Sequence, residues 1–341
     1  MTRELHQRFE RLAAAEHKPS PDETRHPFFD VVELDEKIAA LQNLPGDNQQ
    51  ALLRAYGKLH LKGPLRKVDR APHPGVLEDL VLDFPNFAEV TRWVQDQLHL
   101  CRLSAQQSIK LPPILLDGPP GVGKTAYCQQ LARRLGVRFE SVDLSAARSS
   151  LSLLGLDSGY SSSHPGRIWQ SLQHDSLSVT WALDEIDKIT TEGSDSGSQY
   201  LLGLLEPVSA AKFTDNWSAL PIDASWIFYV ATSNRKALID GPLLSRFTVF
   251  DIPLPHASDL RRIVRSIYQS FLRDEPWGSS FQPELDAKVV DALEGFSPRD
   301  IRRLLRAGFA RAASQERDRV DVRDIPDSVQ KHPKSTRIGF V

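Results

Sequence analysis

The stretch PPILLDGPPGVGKT, from Pro112 to Thr125, decides the fold. Its first half is an apolar run of strand length, and its second half, GPPGVGKT, has the spacing G-x-x-x-x-G-K-[ST] ahead of a helical pattern. Polyphosphate needs backbone N–H groups that converge without Cβ obstruction, a lysine on the β and γ oxygens, and a hydroxyl on Mg²⁺. Gly118, Pro119, Pro120, Gly121, Val122, Gly123, Lys124 and Thr125 supply all three. A Gly-Pro turn that merely precedes Lys-Thr is the bland alternative, and the strand before it and the helix after it argue against that.

On the C-terminal side, four more runs read as strands: VRFESVDL, SVTWALDE, SWIFYVATS and FTVFDIPL. All are mostly continuous apolar runs, the mark of strands buried on both faces in a parallel sheet covered by helices. The expected fold class is therefore α/β, with a five-stranded parallel sheet flanked by helices. After Pro255 the strands stop. Ser258 is expected to cap one helix, and Ser297 another, with Pro298 at its first position and Asp300 in its first turn.

On the N-terminal side, Leu5, Phe9 and Leu12 suggest a short amphipathic helix. A helical pair follows, with Ile38, Leu41 and Leu44 before Pro45-Gly46 and Leu52, Leu53 and Tyr56 before Gly63-Pro64. The stretch RKVDRAPHPG, Arg66 to Gly75, reads as a linker. The expected division is a helical extension and linker over 1–75, a nucleotide-binding core over 76–255, and a helical lid with a short tail over 256–341.

Composition narrows the class further. The chain has 341 residues, 40% hydrophobic and 25% charged, with a formal net charge of -2. That balance does not point to a chain built on nucleic-acid or membrane electrostatics. Two cysteines, Cys101 and Cys128, are too few for a disulfide framework and fit a reducing cytoplasm. The first residues hold no apolar segment long enough to cross a bilayer. The ten histidines show no metal-ligand spacing, so no structural metal is expected beyond Mg²⁺.

Further chemistry sits at strand ends. VTWALDEIDK ends a strand in Asp184 and Glu185: Asp184 is placed to hold Mg²⁺, and Glu185 to polarise a water for attack on a γ-phosphate. YVATSN ends another at Asn234, an uncharged group able to orient the same water. GPLLSRF places Arg246 before the last strand, and SPRDIRRLL sets Arg299 in the first turn of a lid helix. Taken singly, an Asn or an Arg is a surface residue more often than not.

In that order the residues resemble the AAA+ ATPases, and from Pro113 to about Leu254 the ATPase module of the Lon proteases. The likeness rests on GPPGVGKT, PGRIWQSL, ALDEIDKI, LLGLLEP followed by FTDNW, and VATSN leading into GPLLSRF, with SPRDIRRLL extending it into the lid. The resemblance implies ATP and Mg²⁺ as cofactors, Thr125 and Asp184 on the metal, and Asn234 as sensor 1. It implies Arg299 as sensor 2 and Arg246 as a finger reaching a neighbouring subunit, hence a homo-oligomeric ring of six. Aligned on Pro165-Gly166-Arg167-Ile168, Tyr160 falls on the aromatic position of the family's first pore loop, although Ser161 and Ser162 stand where the family has an aliphatic residue and a glycine. A tyrosine that packs its own loop is the competing reading.

About 40 residues follow Arg299, too few for the Ser-Lys protease domain of that family, so no proteolysis is expected. The leading expectation is a cytoplasmic remodeller of an unknown protein client. An ATP-switched scaffold comes second and a DNA-associated loader third. The lid arginines alternate with acids, as on a solvated or intersubunit face, so a nucleic-acid partner is not expected, and the net charge and lack of an apolar span give no expectation of a membrane partner. The C-terminal RIGFV is expected as a frayed tail or a docking segment.

Overall fold

A computed structural model describes residues 24–41, 46–145, 153–157, 159, 163–189 and 197–326. The expected helix around Leu5, the residues Leu44 and Pro45, the Tyr160 position with its two serines, and the RIGFV tail lie outside the described residues.

The five expected strands form one sheet. They are β1 (Ile114–Asp117), β2 (Arg138–Asp143), β3 (Val179–Asp184), β4 (Ile227–Ser233) and β5 (Thr248–Asp251), in the order β5-β1-β4-β3-β2, with every pair parallel. Alternate residues of each apolar run face opposite layers. Leu115, Trp181, Leu183, Tyr229 and Ala231 join one hydrophobic cluster, whereas Ile114, Leu116, Ala182, Phe228 and Val230 join another. Continuous rather than alternating hydrophobicity is therefore what a sheet covered on both faces requires. The edge strands β2 and β5 carry the part-exposed residues.

The first layer includes an N-terminal helical pair, α1 (Val31–Leu41) and α2 (Asp47–Lys62), which bury Leu34, Leu52, Tyr56 and Leu59 against the sheet cluster. The second holds α3 (Glu78–Asp83), α4 (Ala88–Leu103) and α5 (Lys124–Leu135), whose Tyr127 stacks on Phe87 at 4.4 Å between ring centroids. Cys128 is fully buried in α5, and both cysteines are free.

The Arg66–Gly75 stretch is not a free linker. Leu65–Lys67 pairs antiparallel with Arg25–Pro27, Asp69 N–H donates to Ser178 Oγ, and Ala71 N–H donates to the Gln107 carbonyl. Arg66 is buried with its guanidinium 5.2 Å from the Phe28 ring and a 2.6 Å bond to the Gly63 carbonyl. Burial lowers its pKa to about 10. Sequence composition suggested a loop here because Pro and charged residues dominate; tertiary hydrogen bonds hold the segment against the sheet.

After β5 the chain is helical, with α6 (Ala257–Asp274), α7 (Ala287–Leu293) and α8 (Pro298–Ser314). These pack around their own apolar cluster, centred on Phe309 with Tyr268, Phe271, Trp277 and Phe281 about it. Ser297 caps α8 as expected, its side chain accepting from Asp300 N–H. Ser258 does not cap α6: His256 holds the cap position, without a side-chain bond, and Ser258 lies inside the first turn. Among the described residues no helix is long and apolar enough to cross a membrane.

Two short hairpins absent from the sequence reading pack on the first layer, Gly155–Leu156 with His164–Pro165 and Phe213–Thr214 with Pro221–Ile222. Asp215, from FTDNW, joins them. It accepts from Gly166 N–H at 2.8 Å and from Trp217 and Ser218 N–H at 3.0 Å, while Asn216 N–H donates to the Leu154 carbonyl. The Tyr56 hydroxyl of α2 donates to the Ser218 carbonyl. Burial pushes the Asp215 carboxyl up to about 6, against the pull of those N–H groups.

Asp215→Ala leaves three buried donors unpaired and should cost about 2 kcal/mol or more in urea denaturation near pH 5. The folded state holds the Asp215 proton to higher pH than the unfolded chain does. This contribution is thus present at low pH and lost as pH rises through about 6, so the wild-type advantage should be smaller at pH 7.5.

Candidate functional site

The parallel register brings the carboxyl ends of β1, β3 and β4 together, the place where open α/β sheets receive ligands. Ser233 pairs with Asp117 and Ala231 with Leu183, so one step further Thr232 meets Asp184. The loop Gly118–Gly123 leaves β1 here and enters α5. Gly121 and Gly123 have φ of 83° and 105°, conformations closed to most side chains. At Gly118 a Cβ would come within 2.4 Å of the Ile252 carbonyl oxygen. The loop is thereby held tight against the chain leaving β5, at the N-terminus of α5 where backbone N–H groups are unpaired.

Lys124 is almost wholly buried at the first position of α5. Its ammonium donates to the Gly118 carbonyl at 2.5 Å, the Pro119 carbonyl at 3.1 Å and Asn234 Oδ1 at 2.9 Å. Burial lowers its pKa, and the carboxylates of Asp117, Asp187 and Asp184 oppose the shift. All three protons are engaged inside the protein, so an incoming anion must displace one of these partners.

Thr125, the next residue, donates from Oγ1 to Asp184 Oδ1 at 3.1 Å. Glu185 follows with φ 58° and ψ 44°, a left-handed conformation that turns the chain out of β3. A hydroxyl, a carboxylate and a helix N-terminus at the end of a glycine loop fit the phosphates of a nucleotide with a divalent cation.

These residues line one cleft of about 1200 Å³ between the sheet and the lid. Pro120 to Thr125, Asp184, Glu185, Asn234 and Arg299 all face it. Gly118 and Pro119 lie just behind, bonded to Lys124 through their carbonyls. Arg299 comes from α8, and its backbone N–H reaches the Gly121 carbonyl at 3.4 Å. Arg246 is not in the cleft. It lies beyond β4 on the surface and pairs with Glu206 at 3.0 Å.

Several lining residues went unrecognised in the sequence. Phe84 and Asn86 come from the turn between α3 and α4, and Ile263 and Ile267 from α6, giving the cleft an apolar end with a polar rim. The turn is fixed to the lid by Ser266 Oγ donating to Asp83 Oδ1 at 2.8 Å, and α5 is fixed to it by Arg133 and Asp274 at 2.7 Å. DFPNF, 83–87, carries no signal beyond a phenylalanine before a proline, because its role exists only where α3 meets α6.

The fold and cleft define a nucleotide-binding ATPase domain of the doubly wound α/β type with a helical lid. Residues 114–253 match the model of the "ATPase family associated with various cellular activities (AAA)", so this segment is an AAA ATPase domain, and the chain resembles the ATPase module of Lon proteases. It is 33% identical over 238 residues to the Lon protease of Nitrosococcus oceani, covering 68% of this chain and 30% of that protein. With Lon protease 1 of Thermus thermophilus it shares 27% identity over 303 residues, 86% of this chain and 37% of the relative. The chain thus spans about a third of the length of these two curated relatives. Among solved structures, a closed-state cryo-EM reconstruction of Hsp104 with ATPγS and FITC casein superposes with a TM-score of 0.57. The identity is 16%, over 81% of this chain and 49% of that one, a likeness of fold.

Proposed function

We propose that this chain is a Mg-ATP-dependent, ring-forming ATPase that remodels a protein partner. The observation that carries the reading is the single cleft in which the phosphate loop, Asp184, Glu185, Asn234 and the lid residue Arg299 face one another. In this reading Lys124 exchanges its bond to Asn234 for phosphate oxygens, which frees the Asn234 amide to orient water. Glu185 accepts the proton of that water as it attacks in line. Thr125 and Asp184 would hold Mg²⁺, which supplies charge neutralisation on the phosphates when bound. Arg299 follows the nucleotide and moves α8 with it, so the state of the cleft reaches the lid.

Arg246 lies outside its own cleft and faces solvent beside Glu206, a position that suits a group delivered to a neighbouring subunit. That assignment requires an oligomer, and six copies are proposed from the likeness to Lon. The polypeptide partner is proposed from the likeness to a protease and to an Hsp104 complex holding casein. A cytoplasmic location suits two buried free cysteines. No peptidase step is assigned to this chain. The serines after Tyr160 favour a second reading, in which ATP sets the assembly of a scaffold and no chain is threaded.

Glu185→Gln should bind a fluorescent ATP analogue within about threefold of wild type while turnover falls at least ~100-fold, the range of a lost general base; wild-type turnover in the variant would remove Glu185 from the chemistry. Arg246→Ala should lose about 10³- to 10⁵-fold in ATPase rate. Mixing it with Lys124→Ala subunits should restore part of that rate, and no recovery would argue against a finger supplied in trans. Tyr160→Ala separates the two readings: remodelling of an identified client should vanish with ATPase intact, whereas survival of remodelling sinks threading.

A further inference from the structure

We infer that Thr232 is a positioning residue for hydrolysis, a role that rests on the ATPase reading above. Thr232 is buried on β4, two residues before Asn234, with its side chain at the end of β3. Its hydroxyl makes two bonds of opposite sense. It donates to Asp184 Oδ1 at 3.0 Å and accepts from the backbone N–H of Glu185 at 3.2 Å. A hydroxyl has one proton and two lone pairs, so both bonds are satisfied together.

Each bond fixes something the site needs. Asp184 Oδ1 accepts from both the Thr125 and the Thr232 hydroxyls, which holds the carboxylate in one orientation. The other oxygen, Oδ2, takes part in neither bond. Glu185 adopts the left-handed conformation at the point where regular pairing between β3 and β4 stops after Leu183 and Ala231. Its N–H finds the Thr232 side chain in place of a strand carbonyl, so the chain leaves the sheet with its donor satisfied. One hydroxyl therefore sets both acids, the carboxylate of one and the backbone turn of the next.

A β-branched side chain suits this task, because the backbone of a strand leaves it few χ1 choices. Valine has nearly the same shape and lacks the hydroxyl; serine keeps the hydroxyl and lacks the methyl. Thr232 touches no reacting atom in this scheme and acts through Asp184 and Glu185.

The test is steady-state ATPase kinetics and fluorescent-ATP binding on the full chain for wild type, Thr232→Val and Thr232→Ser, with thermal melting alongside. Thr232→Val is expected to lower kcat about 10- to 100-fold, the usual effect of removing a partner that orients a ligand or base. Nucleotide affinity should stay within about threefold and the serine variant within about threefold of wild-type kcat, small changes beside the loss of a whole bond partner. The Mg²⁺ concentration for half-maximal rate should rise for valine and not for serine. Should Thr232→Val not fold, Thr232→Ala takes its place in the same comparison. A valine variant with wild-type kcat overturns the inference, as does a loss of affinity equal to the loss of kcat, or a serine variant as impaired as valine. Wild-type protein that binds ATP without hydrolysing it overturns the ATPase reading instead, and the role of Thr232 with it.

Discussion

The site depends on the parallel register of β1, β4 and β3. Because Leu115, Ala231 and Leu183 sit at matched levels of adjacent strands, every strand delivers its last residues to the same edge of the sheet. The phosphate loop, the acidic pair and Asn234 are far apart in the chain and adjacent in space for that reason alone. A slip of one residue would turn Trp181 and Tyr229 to the opposite layer and carry Thr232 away from Asp184. The large buried side chains on both faces thus enforce the geometry of small polar groups at the strand ends.

Around that edge, polar groups are held by partners within the chain before any ligand arrives. Lys124 spends its three donors on two loop carbonyls and Asn234, and Asp184 takes hydroxyls from Thr125 and Thr232. A ligand taking these donors would exchange one hydrogen bond for another in a pre-shaped site, which would limit the cost of ordering it. The lid closes the other side through a few directional contacts, Arg133 with Asp274, Ser266 with Asp83 and Arg299 N–H with Gly121. The lid has its own aromatic core, separate from the two clusters that cover the sheet.

The N-terminal helices belong to the same physical unit as the sheet. Leu34, Tyr56 and Leu59 share a cluster with Trp181 and Trp217, and Tyr56 reaches the Ser218 carbonyl beside Asp215. Asp215 in turn holds Gly166, at the base of the hairpin that brackets Tyr160 in sequence. The extension is therefore built into the support of that hairpin.

The five strands, the phosphate loop and the Ser297 cap were legible in the sequence because each depends on local pattern: an apolar run, glycines at fixed spacing, a hydroxyl three residues before an acid. The same locality misled at Ser258, where a good capping residue fell two residues past the cap position, and at Arg66–Gly75, where polar composition concealed buried hydrogen bonds. Phe84, Ile263 and Thr232 were not legible as site residues. Their roles arise only where α3 meets α6 and where β4 runs beside β3, and no periodicity records which segments become neighbours. The sequence by itself thus determined the class of fold and the tight glycine loop between β1 and α5, through short-range sterics and hydrophobic pattern. Which groups bond to Asp184 and Glu185, what walls the far end of the cleft, and that Arg246 stands outside it were decided by tertiary packing, because those are distances between segments far apart in the chain.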